Sequence, residues 1–320
     1  MDYGSRITKA SVELPQTCKC CTSASAKSPP LEDRANISSA VGEEIPDYSF
    51  KKAIEGNVTG AASSDSLREI LFDSHECQRL GRSELSLNML VHAPLLKLAL
   101  KSHHYVDEEL IQSARICSAF MPPLADIRDR DCKVTQGKMV DLALVWTPAE
   151  DGSRALGRRH KGNKRDAAVD KKLLRAIQTH VLRREPMETQ SVNQTTYTPL
   201  MFRPIATSIE TKAEGGAEEG KLQLGIWTSA WHRRMVSLMS MLKQRGDADS
   251  RPLWASVGRS TEVLQIVSVP LILVLGNEWK LIFACDRGDR LELLGEVPIG
   301  DTSTLLGLYT IVAVLHELAD

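Results

Sequence analysis

Glu210 and Lys212 stand two residues apart in the stretch 203-RPIATSIETK-212. Side chains on a strand alternate faces, so the two charges share one face with Ser208 and Ala206, their Cα atoms about 7 Å apart. A carboxylate can hold a hard divalent cation, and a lysine beside it can orient a water or offset charge developing on a phosphate. Taken alone, the pair reads first as a solvated ion pair at a strand end. One carboxylate rarely suffices for Mg²⁺, which takes octahedral oxygen coordination and keeps several waters. A second acid on a neighbouring strand is wanted, and Asp141 qualifies. It interrupts 138-KMVDLALVW-146, where Val140, Leu142, Leu144 and Trp146 form an apolar face. A lone Asp in such a strand is costly without a partner or an ion.

The elements that must carry these residues are visible in the patterning. The run 83-SELSLNMLVHAPLLKLAL-100 places Leu87, Leu90, Val91, Leu95 and Leu98 at helical spacing, with Ser83 as N-cap and Pro94 kinking or splitting the helix. The stretch 115-RICSAF-120 is strand-like. The segment from about 151 to 190 is basic, and its second half, with Leu173, Leu174, Ile177, Val181 and Leu182, reads as an amphipathic helix. A strand over 203–212 follows. After Gly215, Gly216 and Gly220 a long helix covers 221–245. Strands at 269–275 and 279–286 are joined by a Gly-Asn turn, and a last helix covers roughly 302–319, capped by Asp301 or Thr302. This order predicts one α/β domain with a mixed central sheet between helices.

Composition sets the bounds. The 320 residues are 42% hydrophobic and 25% charged with net charge −1, so nucleic-acid contact needs a local basic patch. Residues 1–42 read as a disordered tail ahead of a domain over 43–320. The tail's 17-TCKCCTSA-24 has no partner pair at metal spacing and reads as unpaired thiols. Cys77, Cys117, Cys132 and Cys285 are scattered, as suits reduced thiols. The apolar runs 269-VPLILVLG-276 and 305-LLGLYTIVAVL-315 are shorter than the ~20 residues of a membrane span. The expectation is a nuclear or cytoplasmic protein with no membrane segment.

A strand-borne acid in KMVDLALVW, then ETK at a strand end, then a helix with Gln223 and Trp227, resembles the PD-(D/E)XK nuclease-like superfamily and its restriction-endonuclease-like fold. More narrowly, the ordered set 83-SELSLN-88, 91-VHAPLL-96, 191-SVNQTTY-197, 204-PIATSIETK-212, 222-LQLGIWTSAWHRR-234 and 300-GDTSTLLGLYT-310 resembles its fungal branch, over roughly 43–320. The resemblance implies Asp141 and Glu210 as metal carboxylates, Lys212 as catalytic lysine, and the Thr211 carbonyl completing the coordination. It also implies Glu84 helping to hold the metal through water and Gln223 as the polar residue on the following helix. Position 227 is Trp where the family's Q-x-x-x-Y spacing has Tyr, Val140 precedes Asp141 in place of Pro, and the basic segment lengthens the gap between the two acidic strands. The implied reaction is hydrolysis of phosphodiester bonds in DNA or RNA with Mg²⁺ or Mn²⁺.

Arg158, Arg159, Lys161, Lys164, Arg165, Lys171 and Lys172 of the basic insertion are candidate backbone-phosphate contacts, with Arg233 and Arg234 as a second group. The run 158-RRHKGNKR-165 equally reads as a solvated loop or a nuclear-import address. His92, Trp227 and Trp231 read as packed core residues. The rival function is a catalytically inactive or repurposed nuclease fold serving as an accessory module, by resemblance in a fungal specialised-metabolite pathway.

Overall fold

A computed structural model of the chain describes residues 64–103, 105–122, 139–147, 164–213, 215–244, 268–288 and 290–319. The tail over 1–42, its cysteines and the basic loop at 151–163 lie outside the described residues. Helix α1 (Ser64–Arg79) is followed by α2 (Glu84–Leu87), a π-helical turn (Asn88–His92) and α3 (Ala93–Leu100). Then come β1 (Val106–Leu110), β2 (Leu142–Trp146), α4 (Lys164–Arg184) and β3 (Ile205–Lys212). The chain continues through α5 (Ala217–Gln244), β4 (Val269–Leu275), β5 (Glu278–Asp286), β6 (Leu291–Asp301) and α6 (Leu305–Ala319).

The strands form one six-stranded mixed sheet in sequence order, flanked by helices. Neighbours pair antiparallel except β3 and β4, which run parallel with Glu210 opposite Leu273. A parallel pair needs a crossover, and α5 supplies it. Because helices cover both faces, strand residues of both parities are apolar. Leu142, Leu144, Ile209, Ile272 and Val274 pack with α1, α3 and α6. Ala143, Val145, Leu271 and Leu273 pack on the other side with Leu224, Trp227 and Ala230 of α5. The alternation read for β2 was therefore only half of its pattern, and Asp141 lies at a bend just before the strand.

Several boundaries differ from expectation for local reasons. Residues 115–120 form no strand: Ser118–Phe120 is a 3₁₀ turn, and the strand lies upstream in the charged VDEEL of β1. Two of its acids are held by Arg203, which reaches Glu109 at 2.6 Å and Asp107 at 3.3 Å. The first helix divides at the π-helical turn, and Pro94 sits in the opening turn of α3, where its missing N–H costs little. Ser83 does cap α2, its Oγ accepting from the Ser86 N–H. At α6 the capping oxygen is Thr304 Oγ1, which accepts from the Gly307 N–H at 3.0 Å. Asp301 instead accepts from the Ser303 N–H, while the Thr302 hydroxyl bonds Ser74 and Asn277. The Gly276-Asn277 turn between β4 and β5 forms as expected. Gly276 adopts φ +60°, and a Cβ there would lie 2.9 Å from the Ala213 carbonyl oxygen. Its N–H donates to the Lys212 carbonyl, fastening this turn to the end of β3. Cys77, Cys117 and Cys285 are free thiols, as read from their scatter.

Candidate metal centre

Because β2 and β3 are antiparallel, the start of β2 lies beside the end of β3. Asp141, at the bend entering β2, donates its N–H to the Ile209 carbonyl. Its carboxylate then meets the next residues of β3. Thr211 donates both its backbone N–H (2.9 Å) and its hydroxyl (2.8 Å) to Asp141 Oδ2. Gln112, just past β1, donates Nε2–H to Asp141 Oδ1 at 2.8 Å. Three donors thus fix both oxygens of a buried carboxylate in one orientation.

Glu210 lies on the opposite face of β3 from Thr211 and is 1% exposed. Lys212 Nζ donates to its Oε1 at 2.5 Å, while Oε2 is buried with no hydrogen-bond partner among the described residues. Burial and the nearby Asp141 charge push Glu210 up to about 8, although Lys212 pulls the other way. Burial works against the charge of Lys212 too, yet its hydrogen bond to Glu210 and the charges of Glu210, Glu84 and Asp141 hold it above the ordinary lysine value. Glu84, at the first turn of α2, sits 3.8 Å from Lys212 Nζ. Its own carboxyl is raised, chiefly by burial.

The lysine's ammonium therefore stands among the acids. Among the described residues no three His, Cys, Asp or Glu side chains are grouped to hold one ion. Glu84, read as helping to hold the metal through water, reaches toward Lys212, and Asp141 and Glu210 are the acids set on the paired strand ends. That donor set is all oxygen, with one buried carboxylate oxygen unpartnered among the described residues, and it fits a hard divalent cation that keeps its waters.

Helix α5 presses on this site through residues that spacing alone did not mark. A Cβ on Gly220 would lie 2.7 Å from Leu273 Cδ1 and 3.5 Å from Glu210 Cγ. Gly216, at φ +65°, would bring one within 3.3 Å of Lys212 Cδ. The glycines read in sequence as loop punctuation are the floor against which Glu210 and Lys212 lie. Gln223 comes one turn after Gly220 and donates Nε2–H to the Met139 carbonyl at 3.2 Å, its Oε1 buried without a partner among the described residues. It thereby holds the backbone two residues before Asp141. Gln112 was missed altogether, and only the sheet pairing that sets β1 beside β2 reveals it.

The other singled-out residues separate clearly. Arg234 is 0% exposed and bonds Glu185 Oε1 (2.7 Å) and the Ser191 carbonyl, with its guanidinium over the Phe120 ring. The surface role expected of it is corrected: it is an internal strut between α5 and the end of α4. Arg233 beside it is exposed. Lys164 and Arg165 lie in α4, while Arg158, Arg159 and Lys161 fall outside the described residues. Asn193, in the family-like SVNQTTY segment, is buried and staples the approach to β3. Its Nδ2 donates to the Leu200 and Arg203 carbonyls and its Oδ1 accepts from the Ile205 N–H. His92 packs edge-on against Trp279, and burial pushes it down to about 3, as befits a neutral core residue. Trp227 is wholly buried, as expected.

A mixed sheet whose parallel pair is bridged by one helix, with an acid entering one strand and Glu-x-Lys ending the next, is the arrangement of a nuclease-like fold. The family model described as PD-(D/E)XK nuclease superfamily matches residues 33–320, and the chain belongs to that superfamily. No curated protein and no solved structure matches the chain. Among the described residues no helix is long and apolar enough to cross a membrane.

Proposed function

We propose that this protein hydrolyses phosphodiester bonds in DNA or RNA at the Asp141, Glu210 and Lys212 site, with Mg²⁺ or Mn²⁺. The observation that carries the reading is Glu210: a buried carboxylate bonded on one oxygen by Lys212, without a partner for the other among the described residues, and close enough to Asp141 to feel its charge. Two like charges so placed call for a cation beyond one lysine. Asp141 and Glu210 would hold the ion, with the Thr211 carbonyl. When bound, the ion polarises the phosphate and lowers the pKa of an attacking water. Lys212 keeps its proton and sits where it steadies that water or the negative charge that develops. Glu84 keeps the lysine near the pair, and Thr211 with Gln112 holds Asp141 in one orientation. The order of family-like segments supports the fungal branch of the superfamily, and the basic segment supports a nucleic-acid substrate.

The close Lys212–Glu210 pair favours a second reading, in which the two charges satisfy each other. The fold then serves as an accessory module, in fungal specialised metabolism by resemblance. Calorimetric titration with Mg²⁺ and Mn²⁺ separates the two. Uptake that disappears in Asp141→Asn and Glu210→Gln supports the metal centre; no uptake by the wild type removes it.

A further inference from the structure

Leu174 and Val181 seat α4 on the protein, while Lys172 and Arg183 stand on its far side with Arg175 and Arg184 on the two flanks, all exposed. These lie within one half-turn of the helix circumference and span about 18 Å along its axis. A groove of about 400 Å³ runs over this face, lined by Arg175, Thr179, His180, Arg183 and Arg184. Among the described residues no carboxylate pairs with Arg175, Arg183 or Arg184. The acid that follows the helix, Glu185, is occupied by Arg234. That bond also fixes where the face sits. It fastens the end of α4 to α5 about 21 Å along the helix axis from Gly220, which touches the carboxylate site.

We infer that this arginine face of α4 is a phosphate-backbone surface that holds a nucleic-acid chain away from the site of cleavage. Three exposed guanidiniums with no carboxylate partner among the described residues suit a polyanion, whereas a small phosphodiester spans neither the face nor the gap to Glu210. The inference rests on the nucleic-acid half of the proposed function but not on catalysis, because the surface lies outside the carboxylate site.

The test is equilibrium binding of fluorescein-labelled random-sequence DNA and RNA, duplex and single-stranded, about 30 residues long, in EDTA. The triple substitution Arg175→Gln, Arg183→Gln, Arg184→Gln should reduce the salt slope of log K by about 2 to 3. Between 50 and 200 mM salt the wild type then loses roughly 40-fold more duplex affinity than the variant. The matching Arg→Lys triple variant should keep most of the slope. On the wild-type protein the oligonucleotide should also shield these three arginines from phenylglyoxal, a readout that needs no substitution. Unchanged slope in the Gln variant, no shielding, no binding by the wild type, or equal competition by anionic lipid vesicles overturns the inference. Retained slope change in a chain lacking metal-dependent cleavage would sink only the catalytic reading.

Discussion

One oxygen of Asp141 receives two hydrogen bonds from Thr211, one from its backbone N–H and one from its hydroxyl. The residue between the Glu and the Lys of the Glu-x-Lys strand is thus the one that orients the other acidic residue. Its side chain lies on the opposite face of β3 from its two charged neighbours, so a single strand end both supplies charges and aims the carboxylate next door.

Thr211→Val keeps the N–H and deletes the hydroxyl donor. Turnover or metal affinity should fall about tenfold, in the range typical for residues that orient a metal ligand, and Thr211→Ser should restore most of it. Steady-state kinetics and calorimetry measure this. Equal loss in both variants contradicts the orienting role.

Glu210 also sets a pH dependence of stability. Its carboxyl has its ordinary value when unfolded and is pushed up to about 8 when folded, so in the metal-free protein the folded state binds the extra proton between these values. Its stabilising contribution is complete below the unfolded pKa, near 4.5, and is lost as pH rises through about 8. Urea unfolding in EDTA should show stability declining across that window, on the order of a few kcal/mol. Glu210→Gln should flatten the slope and be the more stable protein at the alkaline end.

Gly220→Ala separates packing from helix propensity. Alanine favours an exposed helical position by about 1 kcal/mol, but here its Cβ meets Leu273 Cδ1 and touches Glu210. Stability should change little or fall by about 1 kcal/mol, while metal-dependent activity falls much further. Adding Leu273→Val should recover activity. Failure of that second change to help, with Glu210 unmoved in a structure, dismisses the steric account.

Arg234→Gln should destabilise the protein by about 3 kcal/mol, because it strands the buried Glu185 carboxylate and uncovers the Ser191 carbonyl. Arg233→Gln, on the exposed side of the same helix, should leave stability within about 0.5 kcal/mol of wild type. Chemical denaturation of the pair of variants is the check.

These residues also show what the sequence could reveal. Glu210, Lys212 and the strand that carries them were legible because apolar positions flank a short charged end. The β4–β5 hairpin was legible because Gly-Asn sits between two apolar runs. Asp141 stood out as a charge in an apolar context. The two edge strands were not legible: β1 is VDEEL, two of whose three acids are held by the distant Arg203, and β6 is broken by glycines and Pro298. Gln112 and Gly220 act on the site through sheet order and helix packing, which no local pattern encodes. Arg233 and Arg234 look alike in sequence, and only the α5 packing decides that one is surface and the other interior.

The central claim is that Asp141, Glu210 and Lys212 form a working metal-dependent site. The most direct test is cleavage of end-labelled DNA and RNA by the purified protein with Mg²⁺ or Mn²⁺, beside Asp141→Asn and Lys212→Met proteins shown to be folded. The account predicts cleavage that requires the divalent ion, stops with EDTA and is abolished in both variants. Cleavage at equal rates by the variants, or none by the wild type with either ion on any of the substrates, contradicts it.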